Sequence, residues 1–201
     1  MKTDIITVTN KEESIKEALF FTEKFGNEVG LEKKGILHLR LLSEELMGIL
    51  RGIAGDIETK YWIENDNKKV ELHMKSEVKM SGAMREQFLA ASSSGKNEAT
   101  RSFVGKIRTM IADVLLSAKE NLPYAMMNTA SAAHMGNFQS ESASVWSMVS
   151  YKDEVRKHTK DNKEAKEAWD ELEKSIVANL ADDVKVKIIG NNVEIVVYKS
   201  F

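Results

Sequence analysis

The stretch LRLLSEELMGILRG, Leu39 to Gly52, puts two adjacent acids, two glycines and an arginine on one helical segment. Spacings of four and three place Glu44, Gly48 and Arg51 on neighbouring turns of one face, away from the apolar stripe of Leu39, Leu42, Leu46, Ile49 and Ile53. Gly52 lies one turn beyond Gly48, beside Glu45. A carboxylate in such a place can act as a general base, and an arginine can meet a phosphate. Glycine inside a helix costs about 1 kcal/mol against alanine, so Gly48 and Gly52 need a reason. They bare the backbone either to a small ligand or to a helix or strand at close approach. For Glu44 the ordinary alternative is an ion pair with Arg40, one turn earlier.

A second candidate is SSSGKN, where Gly95 and Lys96 open a loop ahead of a helical run. Backbone N–H groups at such a junction can cradle an anion. It is not a Walker loop, because Asn97 stands where Ser or Thr would follow the lysine. His38, His73, His134 and His158 are scattered, with no zincin-like spacing, so no metal site is read. There is no cysteine, which excludes disulfides and thiolate metal sites, and no Gly-x-Ser-x-Gly elbow to support serine hydrolase chemistry.

The elements that must position these residues follow from periodicity. Ile5–Val8 reads as a strand, and Thr9 and Asn10 offer two overlapping capping boxes with Glu12 and Glu13. A first helix carries Ile15, Leu19, Thr22 and Val29 on one face and ends near Gly30, and a second runs from about Glu32 to Ala54. KYWIE and KVELHMKSEV alternate about NDNK as a hairpin. Phe103, Ile107, Met110 and Val114 form a further amphipathic stripe, and 119–144 has no clear period, as in a lid or loop. VWSMVSYKDEVRKH and KEAKEAWDELEKSIVANL read as helices, and two strands flank Gly190, Asn191 and Asn192 at the end. No internal repeat is visible. The pattern predicts an α+β two-layer sandwich, a mostly antiparallel mixed sheet with helices on one face.

The 201 residues, 42% apolar and 30% charged, suit a single domain with a core. A net charge of −2 gives no reason to expect nucleic acid, and no apolar run suggests a leader or a membrane span. The expected location is cytoplasmic.

LRLLSEELMGILRGIAG, preceded by a strand and a helix and followed by a hairpin, resembles the N-box helix of the ATPase-domain superfamily of histidine kinases, gyrase and MutL, closest in style to anti-sigma-factor-like kinases. DVKVKIIG and VEIVVYK look like the strands that end such domains, so the resemblance in element order spans 1–201. It implies that Glu44 takes the catalytic role, as general base toward the γ-phosphate. Glu45, Gly48, Arg51, Gly52, Gly95 and Lys96 would line the nucleotide. The family's Mg²⁺-holding Asn falls on Gly48, and EVKMSGAMRE has Gly82 but no Asp to read adenine. The implied site is degenerate: ATP bound weakly or not at all, with no Mg²⁺ held, in a regulatory module rather than an enzyme. The expected partner is a protein or a second copy of the chain, not nucleic acid or membrane. The alternative is an active ATP-binding serine kinase of the anti-sigma-factor type.

Overall fold

Alternating apolar residues build the sheet from its hairpins outward. Thr59–Asp66 (β2) turns through Asn67 and Lys68, with φ of 47° and 73°, into Lys69–Glu77 (β3). Positive φ at both positions gives the mirror-image two-residue turn whose twist matches the strands it joins. Tyr61, Ile63, Val70, Leu72 and Met74 point to one face and are buried. Asp183–Ile189 (β5) and Asn192–Ser200 (β6) repeat the arrangement about Gly190 (φ 55°), burying Val184, Val186, Ile188, Val193, Ile195 and Val197. The computed structural model describes residues 1–51, 58–78, 105, 107, 111 and 144–201.

Ile6–Val8 (β1) lies on one edge and Ser144–Ser147 (β4) on the other, in the order β1-β2-β3-β6-β5-β4. Every pairing among the described strands is antiparallel. Both edge strands are short, which limits pairing with other chains. Glu12–Glu28 (α1) and Lys33–Arg51 (α2) follow β1. Met148–His158 (α3), Lys163–Lys174 (α4) and Ile176–Leu180 (α5) follow β4. Their apolar faces cover the buried side of the sheet, giving a two-layer α+β sandwich. Among the described residues no helix is long and apolar enough to cross a membrane.

Each half of the chain therefore runs edge strand, helices, hairpin. The β2–β3 and β5–β6 registers match at one constant offset: Lys69 takes the place of Asn192, Glu77 that of Ser200, and Thr59 opposite Ser76 that of Asp182 beside Lys199. β3 and β6 pair antiparallel at the centre, His73 opposite Val196. The two hairpins are thus related by an approximate two-fold axis through that pair. The sequence hid this repeat because only Val70/Val193 and Glu71/Glu194 are identical along the inner strands.

Three local expectations are corrected. The cap of α1 is Lys11, which makes no side-chain cap bond, rather than Thr9 or Asn10; the Thr9 N–H donates to the Ser14 hydroxyl at 3.0 Å. Val145–Ser147 is strand rather than helix, and Ser144 strand rather than loop, because the segment pairs with β5 and Ser147 caps α3 by accepting from the Ser150 N–H. The helix expected through Ile176 breaks at Ser175, which is extended (φ −77°, ψ 126°) and caps α5 through the Ala178 N–H. Of the expected amphipathic stripe in the middle of the chain, Ile107 is helical and buried, as are Gly105 and Ile111. Of the expected lid at 119–144 only Ser144 is described, as the first residue of β4; the rest lies outside the described residues.

A buried hydroxyl cluster ties the layers together. The Tyr61 hydroxyl on β2 lies 2.8 Å from Thr22 Oγ1 of α1 and 2.9 Å from Ser43 Oγ of α2. Thr22 also donates to the Ala18 carbonyl at 2.9 Å, so each of the three protons has an acceptor in a site without water access.

Candidate functional site

α2 buries Leu39, Leu42, Ser43, Leu46, Met47 and Ile49 against the sheet and α1, so its polar residues are pushed to the flanks. Glu44 is exposed, whereas Glu45 and Gly48 are half-buried one turn apart. The helix runs on to Arg51, while Gly52, Gly95, Lys96 and the last stripe residue, Ile53, lie outside the described residues. The ion pair expected between Arg40 and Glu44 does not form. Arg40 reaches across to Glu23 of α1 instead, because the two helices lie side by side and Glu23 faces it.

The two acids differ electrostatically. Burial raises the pKa of Glu45, and the adjacent Glu44 charge raises it further. A raised pKa brings a carboxyl nearer the range of a useful general acid or base. On this geometry Glu45, not the exposed Glu44, is the carboxylate whose environment suits that role. The sign of the linkage follows: a folded-state pKa above the unfolded one contributes stability at acid pH that is lost as pH rises through the folded value. Glu45→Gln should therefore raise the urea midpoint at pH 7 and leave it nearly unchanged near pH 4. An equal change at both pH values would contradict this.

The glycines divide by role. A Cβ on Gly26 would lie 3.1 Å from Ile36 Cγ1, and one on Gly35 would lie 3.2 Å from the Phe201 ring. The close approach of α1 to α2 is thus made at Gly26, and that of α2 to the end of the chain at Gly35. No described atom lies within 4 Å of a Cβ on Gly48. Close packing within the described chain does not account for Gly48.

The opposite face of the sheet carries a second group. In β2–β3, Glu64 stands opposite Glu71 and Trp62 opposite His73. The Trp62 and His73 rings stack at 4.7 Å with 8° between planes. Glu64 Oε1 accepts from Trp62 Nε1 at 2.8 Å and meets Lys2 Nζ at 2.9 Å. His73 Nε2 lies 3.1 Å from Glu71 Oε2 and 3.9 Å from Glu64 Oε1. Despite that proximity neither ring nitrogen makes a directed hydrogen bond, and both are shut off from solvent. Donor atoms of Glu64, Glu71 and His73 all lie within 4.8 Å of one another. Spacing along the chain missed this group, because its members meet across a hairpin. The two-residue turn at Asn67-Lys68 was the available signal, since it fixes the register.

No protein-family model, no curated protein and no solved structure matches the chain.

Proposed function

We propose that the protein is a regulatory module on a histidine-kinase-like ATPase type of scaffold, in which the α2 flank at Glu45 and Gly48 is a degenerate nucleotide site kept for contact with a protein partner or a second copy. The observation that carries this reading is Gly48, which offers no side-chain oxygen where the resembling family holds Mg²⁺. Mg²⁺ takes oxygen ligands in near-octahedral geometry and neutralises the transferring phosphates. A flank with one partly desolvated carboxyl and no metal anchor suits weak binding better than phosphoryl transfer. The second reading, an active serine kinase, draws support from the perturbed Glu45 alone. Gly48→Asn tests the geometry, because it restores a carbonyl oxygen one turn beyond Glu44. Nucleotide binding by this variant should acquire a dependence on Mg²⁺ that the unmodified protein lacks. Binding by G48N that is indifferent to Mg²⁺ would count against a nucleotide pocket on this flank.

A further inference from the structure

We propose that Glu64, Glu71 and His73, on the face of the sheet away from α1–α5, bind a divalent transition-metal ion of the zinc class. One imidazole nitrogen and two carboxylate oxygens are a donor set such ions accept, with a fourth position open to water or a ligand. The gaps already suit it. Metal–ligand bonds near 2.0–2.1 Å in a tetrahedral site put donor atoms about 3.3 Å apart. The gaps from His73 Nε2, 3.1 Å to Glu71 and 3.9 Å to Glu64, bracket that value. Both carboxylates are partly exposed, at 38% and 37%, so an ion can enter and small side-chain rotations can close the set.

The His73 ring is the independent observation. Both nitrogens are buried and neither makes a directed hydrogen bond, although Nε2 faces the Glu71 carboxylate at 3.1 Å, and buried polar atoms of this kind ordinarily have a bonded partner. Its plane is set by the stacked Trp62 ring. Glu64 is oriented by the Trp62 indole N–H, the kind of outer partner that fixes a metal-ligating carboxylate. The Lys2 ammonium already places positive charge on Glu64, in competition with the ion.

The approximate two-fold axis supplies an internal comparison. The positions matching Trp62, Glu64, Glu71 and His73 in the second half are Lys185, Lys187, Glu194 and Val196. The same strand geometry there carries lysines and a valine. The donor trio is therefore not a by-product of this kind of hairpin.

The test is calorimetric titration of the intact protein with Zn²⁺, alongside Co²⁺ absorption and quenching of the tryptophan fluorescence to which Trp62 contributes. Saturable Zn²⁺ binding is expected, and His73→Ala and Glu71→Gln should each weaken it by more than about tenfold. Lys2→Ala should tighten it, since the competing cation is gone. Glu71→Gln keeps the side-chain shape, so the test survives a folding defect in H73A. No saturable binding of Zn²⁺ below about 1 mM, a weakening of less than tenfold in E71Q, or binding retained by H73A overturns the proposal.

Discussion

Tyr61→Ala is expected to lower the stability of the protein by about 3–5 kcal/mol, the loss typical of a large aromatic removed from a core. That is a large share of the 5–15 kcal/mol that holds a typical domain together. Tyr61 is fully buried where β2 meets α1 and α2, and its ring packs edge-on against Phe21 at 6.3 Å. The change leaves a cavity and takes the shared partner from Thr22 and Ser43. Tyr61→Phe should cost less, about 1–3 kcal/mol, because it removes only the hydroxyl from a closed polar cluster. The pH dependence separates the two contributions. Burial pushes the Tyr61 hydroxyl up to about 12, opposed by its bonds to Ser43 and Thr22. A folded-state pKa above the ordinary value near 10 gives stability that is intact below pH 10 and is lost between about 10 and 12. Over those two units the loss reaches about 3 kcal/mol. Tyr61→Phe should abolish this part of the alkaline loss, while Tyr151, pushed up to about 12 by burial, retains its own. Urea unfolding at pH 7 and above pH 10 measures both. Equal alkaline sensitivity of Y61F and the unmodified protein would contradict the assignment.

Gly26→Val is expected to cost about 1–3 kcal/mol, and Gly48→Ala to gain about 0.5–1 kcal/mol. The opposite signs follow from what each new side chain meets. At Gly26 the first added carbon lies 3.1 Å from Ile36 Cγ1 and 3.7 Å from Ile36 Cα, so a branched side chain must push α2 away from α1. That displacement would also disturb the hydroxyl cluster, since α2 carries its Ser43. At Gly48 the added methyl meets no described atom within 4 Å, and alanine removes the entropic penalty of glycine in a helix. Denaturant midpoints of the two variants decide the matter. A destabilised G48A would show that Gly48 packs closely after all and is not kept open for a ligand or partner.

The strands were legible wherever alternation ran for five residues or more. Lys60–Glu64, Val70–Glu77, Val184–Ile189 and Glu194–Tyr198 all fall within strands of one sheet, and of the expected Ile5–Val8 the strand takes in Ile6–Val8. Tertiary contacts made the remainder hard to read. Ser144–Ser147 is too short for a period and runs straight into a helix. What makes it a strand is its pairing with β5 and the bond from Ser147 Oγ to Asp183 at 3.1 Å. Ser175 breaks a run that is helical by composition, with neither glycine nor proline to mark it. The α2 stripe was visible from spacing, but which of two adjacent glutamates sits half-buried depends on how the helix is rolled against the sheet. Likewise Arg40 looked committed to Glu44 within its own helix, and only the neighbouring α1 supplies Glu23. Glu64, Glu71 and His73 could be united only by the hairpin register, which no spacing rule along one strand contains.

The most direct test of the proposed function is calorimetric titration of the unmodified protein with ATP, with and without Mg²⁺, combined with an assay for released phosphate. The Gly48 reading predicts weak or undetectable binding that is the same in both conditions, and no appreciable hydrolysis. Tight binding that requires Mg²⁺, accompanied by steady ATP turnover, would contradict it and would show that another side chain, such as Glu45, holds the metal.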